Sequence, residues 1–386
     1  MITAGESHGP GLTCLVEGLP AGLALSEEDI NADMARRQLG HGRGGRMKIE
    51  RDAAEVTAGV RHGRTLGGPV ALQVRNRDYA NWEDRMNPWP VDEEIAEVHL
   101  PRPGHADLVG TQKYKHSDVR NVLERASARE TAARVAGGAL CKAFLRALGV
   151  EVYSHVVQIA SVRSPERDAP LTAGDFAKVD SSPVRCLDAD ATKAMVAEID
   201  ELRRANESLG GVFEVQAFGL VPGLGSHVSW EERLDGRLAQ AICSIQAIKG
   251  VAIGDAFTIA GVPGSAAHDE IFYETDRGGY FRETNRAGGV EGGMTNGLPL
   301  IVRGAMKPLP TLTKPLRSVD TDTHEPAQAL RERTDSATIP AAGVVGEAMV
   351  AYVLAAAYRS KFGGDHIDDV LEAVGAYRER IGWPSS

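Results

Sequence analysis

The chain has 386 residues and a mass of 41.1 kDa, enough to bury a hydrophobic core without a disulfide or a structural metal. Hydrophobic residues make up 42% of it and charged residues 25%, which excludes a disordered, collagen-like or coiled-coil protein. Its formal net charge of −10 argues against a general binder of nucleic acid or of anionic membranes.

Alternation of apolar and polar residues predicts β-strands, and capping signals predict helices between them. Several predicted strands are joined by loops rather than long crossovers, which favours antiparallel sheets packed against helices in one α+β domain, residues 1–386. A segment rich in Pro, Asp and Ser, 164–190, is expected to be a surface excursion. The strands are expected at 12–19, 70–76, 151–162, 212–220, 251–260 and 298–306, and the helices after Ser26, from Ser127 to about Leu148, and at 191–206, 230–244 and 340–361.

The cysteines and the most apolar segment bear on metal binding and location. Cys14, Cys141, Cys186 and Cys243 form no C-x-x-C pair, so the sequence predicts neither a metal site nor a redox dithiol. The N-terminus lacks a basic segment followed by an apolar run. The stretch 341–358 is apolar but contains Glu347, which favours a buried helix over a membrane span. We therefore expect a soluble, cytoplasmic protein.

Positive charge is concentrated in two parts of this acidic chain. Residues 36–64 contain eight Lys or Arg against three acids, and residues 303–319 contain four basic residues and no acid. Either run alone is as well explained by surface arginines. Both contain Gly or Pro turns, however, and guanidinium groups match carboxylate and phosphate oxygens in pairs. Together they predict a site for a small polyanion.

Glycine is enriched, at 43 of 386 residues, and several glycine-rich loops carry chemical groups. Residues 40–45 satisfy the dinucleotide pattern G-x-G-x-x-G, but they follow a predicted helix rather than a strand, so this interpretation is rejected. Residues 285–297 hold five glycines and cannot form an ordinary helix, so we expect something flat or bulky against them.

Two histidines lie in turns framed by glycine or proline, His8 in 5–9 and His105 in 102–105. A loop histidine is usually only solvated, but imidazole can move protons near neutral pH, so the pair are candidate acid–base groups. Residues 125–130 join a capping box to two arginines, which suits either an anion site at a helix N-terminus or an ordinary cap.

These stretches resemble the chorismate synthase family. Each is short, but eight of them occur in family order along nearly the whole chain. The resemblance implies conversion of 5-enolpyruvylshikimate 3-phosphate to chorismate by anti-1,4-elimination of phosphate, with reduced FMN and no net redox change. It also implies helices packed between antiparallel β-sheets, and a homotetramer. The matching segments are 3–9, 36–46, 102–107, 125–131, 244–254, 284–297, 306–311 and 333–335 leading into 339–343.

The resemblance assigns roles residue by residue. His8, with Ser7 beside it, matches the acid that protonates the departing phosphate, and His105 matches the histidine near the flavin pyrimidine edge. Asp335 matches the aspartate that acts when the C6 proton leaves, although it could instead cap the following helix. Substrate anions are assigned to Arg37, Arg43, Arg46, Arg102, Arg129 and Arg333, and the flavin to Arg125, Ala126, Ser127, Gln246, Ala247, Gly292, Lys307, Pro308, Leu309, Pro310, Thr311 and, in the same RTD segment, Arg333.

The sequence leaves the source of reduced FMN open. NADPH is a candidate indirect reductant, with Arg37 and Arg43 as its ligands in some descriptions of the family, and an external flavin reductase is the other candidate. Two alternative functions are a flavin-dependent NADPH oxidoreductase and a non-catalytic anion or nucleic-acid binding module. The acidic charge and the 5% aromatic content speak against the binding module.

Overall fold

A computed structural model describes residues 1–44, 50–166, 170–275, 279–332 and 335–383. The strands are β1 Ile2–Ala4, β2 Gly11–Val16, β3 Ala54–Ala58, β4 Val60–Arg61, β5 Arg64–Thr65, β6 Val70–Arg75, β7 Glu151–Ile159, β8 Val162–Arg163, β9 Gly211–Phe218, β10 Ile248–Ile253, β11 Phe272–Glu274, β12 Gly279–Phe281, β13 Val290–Glu291, β14 Met294–Thr295, β15 Leu300–Met306, β16 Arg317–Val319 and β17 Pro326–Gln328. The α-helices are α1 Glu27–Gln38, α2 Asp107–Tyr114, α3 Arg120–Ala126, α4 Thr131–Ala147, α5 Ala189–Arg204, α6 Leu234–Cys243, α7 Ala256–Ile259, α8 Gly264–Ala267, α9 Ile339–Phe362 and α10 Ile367–Ile381.

Two antiparallel sheets enclose a layer of helices. One sheet has the strand order β1-β2-β6-β3 and the other β10-β15-β9-β7-β8. Helix α4 packs on β2 and β6 of the first sheet, α9 packs on β7 and β9 of the second, and α4 and α9 pack on each other. The alternation of residues in β2 explains this packing. Leu12, Cys14 and Val16 face the helices, and the residues between them face outward. The predicted α+β fold with helices between antiparallel sheets is confirmed.

Glycines allow the layers to approach closely. A Cβ on Gly138 of α4 would lie 2.3 Å from the Cβ of Ala348 on α9, and one on Gly137 would lie 2.6 Å from Cys14 Sγ in β2. On α9, a Cβ at Gly346 would lie 2.6 Å from the ring of Phe213 in β9. Small residues on successive faces of α4 and α9 therefore set the spacing of the sandwich.

Helix α9 is long and apolar enough to cross a membrane, but 89% of its most apolar stretch of 18 residues is buried inside the protein. Its one acidic residue, Glu347, is fully buried and accepts hydrogen bonds from Arg36 Nη1 at 2.7 Å, Lys142 Nζ at 2.8 Å and Ser154 Oγ at 2.7 Å. Burial alone would raise the pKa of Glu347, but Arg36 and Lys142 hold it far below its usual value. The expected buried helix is confirmed, and its carboxylate joins α1, α4 and β7.

Helix boundaries follow the capping signals closely. Ser26 accepts from the Asp29 backbone N–H in the predicted capping box at the start of α1. Ser127 caps a 3-10 turn, Ala128–Glu130, that leads directly into α4. Gly40 lies just beyond the C-cap of α1 with φ +121°, where only glycine is unstrained. These signals are local, which is why the sequence displays them.

Other predictions need correction. The strand expected at 251–260 ends at Ile253, because Gly254 turns the chain with φ +59° and α7 follows. The helix expected at 230–244 is divided into a 3-10 turn, Trp230–Glu232, and α6. The described part of the segment 164–190 lies largely at the surface, as expected, but it is anchored there, since Phe176 of the 3-10 helix Ala173–Ser181 is buried against Tyr153 on the outer face of the second sheet.

The close contact of α4 with α9 gives a test of stability. We expect Gly138→Ala to lower the free energy of unfolding by about 1–3 kcal/mol, because the added methyl forces the helices apart. The matched control is Gly375→Ala in α10, where a Cβ meets nothing within 4 Å. That change should raise stability by about 0.5–1 kcal/mol, since glycine is unfavourable inside helices. Urea unfolding of both variants is the measurement, and equal effects would contradict the packing argument.

Candidate active site

A cavity of about 440 Å³ opens between the helix layer and the loops at one end of the sheets. This volume lies within the ~300–1,000 Å³ range of small-molecule sites. It is lined by the C-terminal half of α1, the N-terminal ends of α4 and α9, and the segments after α6 and β15. The cavity brings together these predicted site residues from distant parts of the chain: Ser7, His8, Arg37, Arg43, Arg102, His105, Ala126, Ser127, Arg129, Gln246, Ala247, Lys307, Leu309, Pro310, Thr311 and Asp335.

Three predicted residues are placed elsewhere. Arg125 points away from the cavity and donates to the backbone oxygen of Thr3 at 2.8 Å. Gly292 lies in the turn between β13 and β14, and Pro308 does not line the cavity although its neighbours do. Arg46 and Arg333 lie outside the described residues.

A buried aspartate holds two of the cavity arginines. Asp52 accepts from Arg129 Nη1 at 2.5 Å and from Arg37 Nη1 at 3.1 Å, and its side chain is fully buried. Arg37 also donates to Thr131 Oγ1 at the start of α4. Burial, together with the charges of Arg129 and Arg43, lowers the pKa of Arg37 to about 10. Because the positive charges of Arg37, Arg43 and Arg129 repel one another, an anion bound between them is stabilised.

One donor of this arginine group is left without a hydrogen bond within the residues that the structure describes. Among the described residues, Arg129 Nη2 has no hydrogen-bond partner, and it lies 3.8 Å from a carboxylate oxygen of Glu50. Thr338, the N-cap of α9, makes no side-chain capping bond and lines the cavity with Ala341 and Ala342. The first turns of α4 and α9 therefore direct positive dipole ends toward the space that the arginines surround.

His8 is held between a carboxylate and an indole ring. Its Nδ1 lies 3.0 Å from both Glu124 oxygens, its backbone N–H donates to Glu124 Oε2 at 2.8 Å, and its ring stacks on Trp82 at 4.1 Å. Arg120 also donates to Glu124 Oε1 at 2.9 Å. Burial alone would raise the pKa of Glu124, but the hydrogen bonds and charges of His8 and Arg120 lower it.

His105 has a parallel arrangement on another element. Its Nδ1 lies 2.5 Å from Asp107 Oδ1, and Arg102 Nε donates to Asp107 Oδ2 at 2.8 Å. Asp107 is fully buried, which would raise its pKa, yet His105 and Arg102 lower it strongly. Arg102 continues to Thr311 Oγ1 at 3.0 Å, which links this group to the segment after β15.

Asp335 is bound to the loop after α1. It accepts from the Gly44 backbone N–H at 2.5 Å and lies 3.3 Å from Arg43 Nη1. The alternative that Asp335 caps the following helix is not supported, because the N-cap of α9 is Thr338. Asp335 thus places a carboxylate at the cavity wall beside an arginine.

The turn at 246–247 forms another wall. Gln246 Nε2 donates to Glu130 Oε2 at 3.1 Å, and its buried Oε1 has no hydrogen-bond partner among the described residues. Ala247 has φ +68°, a strained conformation for a residue with a Cβ, and accepts from the Lys307 backbone N–H at 3.0 Å. Lys307 Nζ donates to Gly104 O at 2.5 Å, and burial with nearby Lys249 lowers the pKa of Lys307.

Sequence reasoning missed the residues that support the histidines and arginines. These residues are buried or half-buried, and their partners are distant in sequence, so no local pattern marks them. Asp107 is the exception, since it follows His105 by two residues and could have been found there. The missed residues are Asp52, Trp82, Asp107, Arg120, Glu124 and Glu332.

Comparison with known proteins gives a consistent result. The sequence model of the family described as chorismate synthase matches residues 1–358. The chain is 56% identical over 384 residues to the chorismate synthase of Rubrobacter xylanophilus, covering 99% of this chain and 97% of that protein. It is 54% identical over 389 residues to that of Thermobifida fusca, covering 98% of each. A solved structure described as a crystal structure of chorismate synthase is similar with a TM-score of 0.78 and 42% identity, covering 99% of this chain and 97% of the other.

The arginine group predicts that phosphate stabilises the protein. With phosphate about tenfold above its Kd, we expect stabilisation of about 1.4 kcal/mol, seen as a higher thermal midpoint. Arg129→Gln should remove most of this increase. Arg75→Gln, in an exposed ion pair with Glu55, is the matched control and should retain it. An equal phosphate response in both variants would place the anion outside the cavity.

Proposed function

Because the chain belongs to the chorismate synthase family, we propose that this cavity is the catalytic site in which it converts 5-enolpyruvylshikimate 3-phosphate to chorismate. The chain is a carbon–oxygen lyase of the shikimate pathway, and the reaction is an anti-1,4-elimination of phosphate without net redox change. The observation that carries the assignment of the site is the cavity's set of four arginines and Lys307 around two carboxylate-bound histidines. The substrate carries one phosphate and two carboxylates, which this charge distribution suits.

The residues present fit a flavin mononucleotide. Arg129 Nη2 and Gln246 Oε1 are a buried donor and a buried acceptor without hydrogen-bond partners in the described part of the chain, and burying such groups is unfavourable unless a ligand satisfies them. When bound, reduced FMN would supply electron density to the substrate, because a concerted anti elimination is stereoelectronically poor. The groups expected to hold it are Ala126, Ser127, Gln246, Ala247, Lys307, Leu309, Pro310 and Thr311, with Arg125, Gly292, Pro308 and Arg333 as further candidates from the family resemblance.

Proton transfer is assigned to side chains of the cavity wall. His8, with Ser7 beside it, protonates the phosphate as the C3–O bond breaks and the bonding pair leaves with oxygen. Asp335 acts in removal of the C6 proton, and the electrons of that C–H bond enter the new double bond. Arg37, Arg43, Arg46, Arg102 and Arg129 hold the substrate anions. His105 would lie near the flavin ring when it is bound and would stabilise negative charge there.

Assembly, location and the reductant complete the proposal. A homotetramer is supported by the outer face of the first sheet, where the cross-strand pair Ile2 and Leu15 is 69% and 37% exposed. The family implies a cytoplasmic enzyme, and the buried position of α9 agrees with that location. Reduced FMN would come from an external flavin reductase or from NADPH-dependent reduction. The proposal takes residues 1–386 as one domain.

The proposed function predicts a specific cofactor requirement. Under anaerobic conditions with chemically reduced FMN, the protein should release phosphate and form chorismate from 5-enolpyruvylshikimate 3-phosphate. Oxidised FMN without NADPH should give neither product. Phosphate assay and absorbance of chorismate measure both products in the same sample. A folded, flavin-bound protein that releases nothing would refute the assignment.

Replacement of the two histidines tests their roles. His8→Ala and His105→Ala should each fold and lower kcat by about 10²–10⁴, the usual contribution of a general acid or base. The matched control is His366→Ala, which lies at the start of α10 and lines no part of the cavity. Near-normal turnover in both cavity variants would remove the assigned roles.

A further inference from the structure

The two cavity histidines share an arrangement of supporting residues that the roles assigned above do not include. In each case Nδ1 faces a buried carboxylate, and a neighbouring arginine donates to the same carboxylate. The pairs are His8 with Glu124 and Arg120, and His105 with Asp107 and Arg102. The elements differ, since Glu124 lies on α3 and Asp107 begins α2. A repeated arrangement on unrelated elements indicates a requirement of the site rather than of local packing.

The lowered pKa values of Glu124 and Asp107 mean that both carboxylates are ionised at neutral pH. An ionised carboxylate can only accept hydrogen bonds, so the ring nitrogen that faces it must carry the proton. In both rings that nitrogen is Nδ1. At His105, Arg102 Nη2 also lies 3.1 Å from Nδ1, but Asp107 Oδ1 is closer, at 2.5 Å, and is the acceptor of the two, so the Nδ1 proton is directed to Asp107. Nε2 is then the ring nitrogen at which a proton can be exchanged.

We propose that Glu124 and Asp107 are positioning residues that fix His8 and His105 in the Nδ1–H form and direct Nε2 to the reaction. The reaction named here is that of the proposed function, on which this part of the inference rests. Which ring nitrogen of each histidine carries the proton is a property of the protein without substrate. Neither carboxylate is assigned contact with substrate. Each acts through its histidine, as the aspartate of a Ser-His-Asp triad does.

The arginines give the carboxylates a second task. Glu124 accepts from His8 and from Arg120, so its charge is divided between an imidazole and a permanent cation. If Glu124 were bound to the imidazole alone, its full charge would stabilise the imidazolium, and His8 would then be a poor acid. Sharing with Arg120 weakens that hold, so that His8 can release its proton to the departing phosphate.

Other contacts restrict the His8 ring without changing its charge. Trp82 stacks on the ring, and Arg120 and Arg85 lie 4.9 and 5.7 Å from the Trp82 ring centre. Glu332 lines the cavity and lies 3.6 Å from Arg120. The charged groups linked to His8, directly or through Trp82 and Arg120, are therefore Glu124, Arg120, Arg85 and Glu332. Asp78 and Arg129 also line the cavity. Glu124 is the one whose carboxylate bonds directly to the ring nitrogen in the described structure.

An isosteric change isolates the carboxylate charge. In Glu124→Gln, the amide has to meet three donors, His8 Nδ1, the His8 backbone N–H and Arg120 Nη1, with only one oxygen. One donor must then face an NH2 group. We expect loss of the pure Nδ1–H form of His8, at least a ~10-fold lower kcat, and a decline of kcat with rising pH that begins at lower pH, because the imidazolium loses its counter-charge. Glu124→Asp keeps the charge and should keep the pH profile.

The primary measurement is the protonated nitrogen of each ring, from long-range 1H–15N spectra of 15N-histidine-labelled protein at pH about 8.5. His8 and His105 are assigned by loss of their signals in His8→Gln and His105→Gln. In the unsubstituted protein both rings should show protonated Nδ1. Glu124→Gln should change His8 alone, and Asp107→Asn should change His105 alone, so each variant is the control of the other.

The outcomes separate this inference from the proposed function. A neutral His8 ring in the unsubstituted protein that carries its proton on Nε2 and none on Nδ1 overturns the inference, even if Glu124→Gln does not fold. The inference is also overturned if the unsubstituted enzyme is active and Glu124→Gln keeps both the Nδ1–H form of His8 and the pH dependence of kcat. An inactive enzyme with both rings in the Nδ1–H form supports the positioning role and refutes the proposed function.

Discussion

Crowding of cations around a buried cavity is the constraint on which the rest of this structure depends. Four arginines and a lysine line a space that the first turns of two helices also make positive. Such a group is unstable in a folded protein unless anions compensate it. This chain compensates the cations with buried carboxylates that bind them from the protein side, and Asp52 binds Arg37 and Arg129 in this way. The other side of the same cations lines the cavity, which is how an acidic protein can present a site suited to polyanions.

The helix layer transmits this constraint to the core. Arg36 and Arg37 are neighbours on α1, yet Arg36 pairs with Glu347 inside the sandwich and Arg37 reaches the cavity. Glu347 lies on α9, whose N-terminal turn forms part of the cavity wall. The spacing of α4 and α9, set by Gly138 against Ala348, therefore also sets the distance between their N-terminal ends. Packing of the core and geometry of the site are consequences of the same contacts.

Sequence reasoning recovered the features that depend on local chemistry. The capping box at Ser26, the cap at Ser127, the buried helix with Glu347 and the pairing of antiparallel sheets all follow from nearby residues or periodicity. Helices α2, α3 and α10 were not predicted. The first two have only 8 and 7 residues and so carry little periodicity, whereas α10 was missed although it has 15 residues and a capping box at His366. In the site, the family resemblance named most residues that line the cavity, but not the carboxylates behind them. Glu124 meets His8 across 116 positions of sequence, and only the fold brings the two together.

The fixed charges finally define which groups can move protons. Arginines keep their charge at neutral pH, and the pKa values of Glu124 and Asp107 are held low by the cations that they bind. Protonation of these groups does not change as the reaction proceeds, so they serve as a constant electrostatic background. Imidazole is the side chain that exchanges protons near neutrality, and the two cavity histidines are each bound to one such fixed carboxylate. In the proposed elimination one proton is lost and one is supplied, and this division separates the side chains whose charge stays fixed from the histidines, whose protonation can change.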